Sequence, residues 1–133
     1  MIADIVGNQT LKSQWDETVA YYGSYPFLTF ISMEDVESHY TYKEFDHMVK
    51  QSANFFLDLG ITQGDLVALH LHNRPEYLLC WLALAQIGAV SVPMNEHYQL
   101  NESRYIIDKC NIDFLITESR YLDIYQEHFE ELN

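Results

Sequence analysis

Positive charge is scarce in this chain. Seven Lys and Arg face twenty Asp and Glu, a formal charge of −13 over 133 residues. So few cations offer little to a phosphate backbone, which argues against nucleic acid as a partner. An anionic membrane surface is disfavoured for the same reason. Cysteine is scarce too: Cys80 and Cys110 make no disulfide framework and fit reduced thiols, so a cytoplasmic setting is expected. No basic segment followed by a long apolar run is visible near Met1, so no secretory signal is read. Low-complexity linkers, internal repeats and domain boundaries are also missing. Residues 77–94 run eighteen residues without a charge, near the lower limit for a membrane span. Gly88 and Pro93 divide that run, and the residues after Gly88 turn β-branched. A buried helix leading into a buried strand is therefore expected.

Apolar and aromatic residues are plentiful, at 48% and 14%, with ten Tyr and seven Phe. That excludes a disordered acidic tail. The length suits one domain, which can bury roughly two-thirds of its unfolded surface. The tyrosines are expected at core edges, ring packed and hydroxyl toward water.

Periodicity gives the organisation. Leu11, Trp15, Thr18, Val19 and Tyr22 recur at helical spacing behind a capping Thr10, and Gly23 closes the helix. Residues 26–32 and 38–41 read as two strands of an antiparallel hairpin around an acidic loop. Thr41 and Glu44 form a capping box, opening a helix with Phe45, Met48, Val49, Ser52, Phe55, Phe56 and Leu59 on one face. Gly60 supplies its left-handed stop. Strand 66–71 follows a turn at 63–65. A helix capped by Asn73, with Pro75 and Glu76 in its first turn, comes next. It is apolar nearly all round and should be buried. Strand 89–93, a helix capped by Asn101 and ending at Cys110, strand 112–117 and a helix from Ser119 complete the order. Alternating strands and helices from Leu66 onward predict an α/β fold, with a partly parallel sheet flanked by helices.

No complete catalytic constellation stands in these residues. His70 and His72 are two apart, on one side of an extended strand, but a third zinc ligand at a recognisable spacing is missing. Ser38 and His39 point to opposite faces of a strand and are poorly placed to share a proton. The acidic groups Glu34, Asp35 and Glu37, and Glu127, Glu130 and Glu131, read as solvated surface. The glycines at 60 and 64 lack the cation and hydroxyl of a phosphate loop, and no GxGxxG is present.

Motifs in order carry more. The run 67–76 holds Asn73, Pro75 and Glu76, and the run 80–95 holds Gly88, Ala89, Pro93 and Asn95. Thr41, Tyr42 and Glu44, then Gly60, Ile61, Gly64 and Asp65, precede them. Together these resemble the start of the adenylate-forming (AMP-binding) superfamily of acyl-CoA synthetases, adenylation domains and luciferases. The likeness covers essentially the whole chain. Residues 4–16, with Ala68, Leu69, His70, Leu71, Cys80 and Trp81, resemble the carnitine-type branch of its CoA ligases.

The resemblance implies the N-terminal portion of the large domain of such a ligase, spanning residues 1–133. It implies ATP, Mg²⁺ and coenzyme A as cofactors of the full-length enzyme and a carboxylic acid as its substrate. The phosphate loop, adenine motif, hinge and catalytic lysine of the superfamily have no counterpart here. The chain alone is thus expected to bind none of these cofactors and to be inactive, with no catalytic and no metal residue. Some relatives place an Arg near the coenzyme A nucleotide two residues after the Asn of P-x-N. His97 occupies that position here and is the one candidate cofactor neighbour. Three alternatives stay open: a fatty-acid or aryl-acid CoA ligase portion, a stand-alone nucleotide- or CoA-binding module, and a chain that self-associates through exposed apolar surface.

Overall fold

A computed structural model describes residues 7–123, 125 and 126. Thr10 caps α1 (Leu11–Tyr22) with its hydroxyl on the Ser13 amide. A hairpin follows, β1 (Pro26–Ile31) antiparallel to β2 (Glu37–Thr41), with Thr29 opposite His39 and Phe30 opposite Ser38. In its acidic loop the Ser32 hydroxyl accepts from the amides of Glu34 and Val36, and Asp35 turns left-handed at φ 57°. The predicted capping box opens α2 (Tyr42–Asp58): Thr41 Oγ1 accepts from the Glu44 amide at 3.2 Å, and Glu44 accepts from the Thr41 amide at 2.9 Å.

The expected alternation then appears as β3 (Leu66–His70), α3 (Pro75–Ile87), β4 (Val90–Pro93), α4 (Leu100–Cys110) and β5 (Phe114–Thr117), followed by a 3-10 turn (Ser119–Tyr121). Both β4 and β5 pair parallel to β3, in the order β4-β3-β5. The fold is α/β with a partly parallel sheet flanked by helices. Among the described residues the outer edges of β4 and β5 carry no further strand. The uncharged run divides as anticipated, α3 ending at Gly88 (φ 77°) and β4 following. No described helix is long and apolar enough to cross a membrane.

The core lies where α1, α2 and α3 meet β3. Trp15, Phe45, Val49, Ala53, Phe56, Val67, Leu69, Leu82, Ala83 and Leu84 are buried there. Phe27 and Tyr42 pack their rings on Trp15, at 5.0 and 6.0 Å between centroids. The hydrophobic effect over this contiguous cluster is the main favourable contribution to folding.

Several local expectations need correction. Asn73 does not cap α3. Its first residue is Pro75, whose ring holds the preceding Arg74 extended, so Arg74 is the flanking residue and makes no capping side-chain bond. Asn101 lies inside α4; Gln99 flanks it, its amide donating to Glu102 Oε2 at 3.1 Å. α3 is not buried all round, since Trp81 is 38% exposed. On α2 the buried stripe is narrower than its apolar residues suggest, leaving Phe55 and Leu59 on the surface. The helix expected from Ser119 opens as a 3-10 turn, with residues 122, 123, 125 and 126 helical after it. Glu127, Glu130 and Glu131 lie outside the described residues.

Candidate functional site

The loops leaving β3 and β5 converge because the two strands are paired neighbours. The chain leaves β3 toward β4 on one side, while β5 lies on the other. Such a reversal at the carboxyl ends of parallel strands is where open α/β sheets hold ligands. A cleft of about 580 Å³ opens there. The hairpin contributes Phe30, Ser38 and Tyr40 to it, the β3–α3 loop His72 and Arg74, and the turn after β5 Arg120. Ser38 faces this cleft, whereas His39 turns to Thr29 Oγ1 at 3.1 Å and Glu37 at 3.2 Å. The two side chains do not meet, as the strand alternation anticipated.

Glu118 links three of the residues that line the cleft, His72, Arg74 and Arg120. Its Oε1 accepts from the His72 backbone amide at 2.8 Å and from His72 Nδ1–H at 2.6 Å. Its Oε2 lies 3.3 Å from Arg120 Nε and 3.7 Å from Arg74 Nη1. Burial alone would raise the Glu118 pKa, but the His72 amide and imidazole and the Arg120 charge hold it below the ordinary glutamate value. Arg74 donates both arms of its fork to Glu76, at 2.7 and 2.8 Å. That pair lowers Glu76 and raises Arg74. Both guanidiniums on the cleft are therefore already balanced by carboxylates. This gives a fixed polar platform rather than open phosphate clamps.

The two histidines singled out in the sequence part company. His70, the last residue of β3, is fully buried, with Nδ1 2.5 Å from the Tyr125 hydroxyl. His72 lies beyond the strand and belongs to Glu118. Among the described residues no group of three His, Cys, Asp or Glu side chains could hold a metal ion. These residues do not fit a magnesium site by themselves. Cys80 and Cys110 are free thiols, and burial pushes Cys80 up to about 11.

His97 sits on the β4–α4 loop, strongly exposed, its amide donating to Asn95 Oδ1 at 2.9 Å. It lines a smaller hollow of about 260 Å³ with Leu71, Asn73, Tyr77, Asn95 and Glu96. This hollow also opens at the carboxyl ends of β3 and β4. Sequence reasoning missed Glu118, Arg120 and Tyr125. Glu118 and His72 are 46 positions apart, and only the pairing of β5 with β3 joins them.

Fold and motifs define a class: this chain belongs to the AMP-binding enzyme family, whose family model matches residues 15–132. It is within the adenylate-forming acyl-CoA ligase superfamily. Among curated relatives it is 39% identical over 124 residues to crotonobetaine/carnitine–CoA ligase of Salmonella paratyphi B, covering 93% of this chain and 24% of that ligase. The figures are the same for the ligase of that name from Salmonella typhimurium. The chain thus spans about a quarter of the length of the curated relatives it matches. Two solved structures share its fold. The Klebsiella oxytoca NpsA N-terminal subdomain in complex with anthranilyl-AMSN superposes with a TM-score of 0.78 at 23% identity, over 88% of this chain and 29% of that one. The inhibitor-bound N-terminal domain of FACL13 from Mycobacterium tuberculosis gives 0.78 at 21% identity, over 90% and 29%.

Proposed function

We propose that this chain provides the N-terminal portion of an ATP-dependent acyl-CoA ligase. In the overall reaction a carboxylate oxygen attacks the α-phosphorus of ATP and pyrophosphate leaves. The coenzyme A sulfur then attacks the acyl carbon and AMP leaves. The single observation that carries this reading is the family match across nearly the whole chain. The cleft at the sheet's carboxyl end fits it. These residues would build a wall of the site. The cations that grip the phosphates, and the ligands of Mg²⁺, would come from other parts of such an enzyme, because Arg74 and Arg120 are already paired. The chain by itself is then inactive.

The carnitine type is the preferred substrate class, supported by the 39% identity to crotonobetaine/carnitine–CoA ligase; fatty and aryl acids are its competitors. His97 is proposed to neighbour the coenzyme A nucleotide, at the mouth of the hollow it lines.

A chimaera tests the reading. This chain replaces the matching 124 residues of a crotonobetaine/carnitine–CoA ligase, and carboxylate-dependent pyrophosphate–ATP exchange and thioester formation are followed across a panel of acids. The expected result is activity in the folded chimaera, greatest with carnitine-type acids, and none in the isolated chain. A folded chimaera without exchange, or exchange by the isolated chain, overturns it.

A further inference from the structure

The pairing of β3 with β5 ends where His70 stands opposite Thr117. Beyond that rung the chain after β5 turns into the 3-10 turn at Ser119, and the β3 side runs on toward α3. Two side chains carry the connection one step further. Thr117 Oγ1 donates to the His70 carbonyl at 3.0 Å, and Glu118 Oε1 accepts from the His72 amide at 2.8 Å. Residues two apart on an extended chain turn their backbone groups to the same neighbour, so these side chains stand in for the next rung of the ladder. The same Glu118 oxygen lies 2.6 Å from His72 Nδ1. It already accepts from the amide, and its carboxylate faces the guanidiniums of Arg74 and Arg120, so it has no proton to give. The proton between the two groups therefore sits on Nδ1. Arg120 Nη2 lies 3.5 Å from Nε2, the one ring nitrogen that keeps a lone pair in the neutral imidazole.

We infer that Glu118 is a positioning residue for the β3–α3 loop: its carboxylate sets where residues 73–76 leave the sheet and which ring nitrogen of His72 carries the proton. Asn73, Arg74 and Glu76 line the cleft, so the shape of that wall is set by a residue 46 positions after His72. A glutamate suits the place because the task needs two acceptor oxygens. Oε1 serves the amide and ring of His72, while Oε2 balances Arg120 at 3.3 Å and Arg74 at 3.7 Å. A hydroxyl such as that of Thr117 could serve the amide but would leave both cations without this partner. Glu118 is 13% exposed, which shields these bonds from competing water. The consequence for acyl-CoA formation rests on the proposed function; the positioning itself does not.

Nuclear magnetic resonance on this chain tests it without any ligand. At mildly alkaline pH, long-range nitrogen–proton correlations should show the His72 proton on Nδ1. Glu118→Ala should abolish that preference and speed amide exchange at His72 about tenfold, as expected for losing a hydrogen bond to a charged acceptor. Glu118→Gln keeps an acceptor oxygen at the same reach and should restore the Nδ1 proton and most of the protection. A proton on Nε2 alone in the wild type overturns the inference, as does unchanged His72 exchange in a folded Glu118→Ala. Should Glu118→Ala not fold, Glu118→Asp takes its place. One methylene shorter, it keeps the charge but loses the reach, so faster His72 exchange is again expected and unchanged exchange again overturns the inference. Thioester formation by the chimaera tests the cleft separately. Glu118→Ala should lower kcat/KM there by about tenfold, through misplacement of the wall, and Glu118→Gln should recover it. An indifferent chimaera removes the cleft from the reaction and leaves the positioning role standing.

Discussion

The indole N–H of Trp15 donates to Asp46 Oδ1 at 2.9 Å, joining α1 to α2 inside the core. Lys50 completes the arrangement from the surface, its ammonium 2.7 Å from Asp46 Oδ2. Asp46 is only 7% exposed, so this carboxylate is tolerated because both of its oxygens are engaged. Asp46→Ala should cost about 2–3 kcal/mol, since it leaves a buried donor unpaired. Asp46→Asn keeps an acceptor for the indole and should cost clearly less. Urea unfolding curves measure both. Equal losses would show that the indole bond contributes little.

Acidification should weaken the fold in two stages. Burial holds the His70 pKa below its ordinary value, against the opposing pull of the Asn95 and Glu96 carbonyls and the Glu118 charge. Tyr121 and Tyr125 also face the ring. A depressed folded pKa means that the unfolded chain takes the proton first. This stability is full above the unfolded value of about 6.5 and is lost as pH falls through the folded one. Asp16, Glu44, Glu76 and Glu118 are all lowered as well. Their contributions disappear below about pH 4.5, through their folded values. Unfolding midpoints against pH should show both stages, and His70→Leu should remove only the upper one. A flat profile between pH 7 and 5 in the wild type would refute the assignment.

Gly88 closes α3 in a left-handed turn at φ 77°, and a Cβ there would stand 3.0 Å from Gln63 Cγ. Gly88→Ala should therefore cost about 1–2 kcal/mol through strain in an unfavourable backbone conformation. Gly60 has a similar φ of 89° but open space around it, so Gly60→Ala should cost less. Thermal unfolding of the two variants side by side gives the comparison. A larger loss at position 60 would contradict the crowding.

Cys80 should be the slow thiol. Burial, with a smaller push from Glu76, raises it to about 11, so almost none is thiolate near neutral pH. Iodoacetamide at pH 8 should label Cys110 first and Cys80 more slowly, because so little of the Cys80 thiol is ionised. Peptide mass spectrometry over time would report the order, and early labelling at Cys80 would count against its raised pKa.

Much of the fold is legible because its signals are local. The strand and helix order from Leu66 to Thr117 follows from alternation, and Gly60 and Gly88 stop helices where their φ values require it. The caps are less legible. Asn73 and Asn101 are good cap types, yet Pro75 sets the start of α3 from the far side and Glu102 selects Gln99. The site is legible in two stretches. Asn73, Pro75 and Glu76 at the cleft, and residues 93–97 beside it, carry motif positions, but Glu118 and Arg120 carry none. Their meaning comes from the pairing of Thr117 with His70, which brings Arg120 beside His72. Tyr125 reads in the sequence as one more edge tyrosine, whereas its hydroxyl lies in the interior against His70.

The central place of β3 has a consequence for growth. Strands can be added beyond β4 or beyond β5 through backbone groups that no described strand uses. Neither addition would displace the strand that ends at the cleft. The sheet is a keel that planking can widen on both sides, while the pocket stays over the same line.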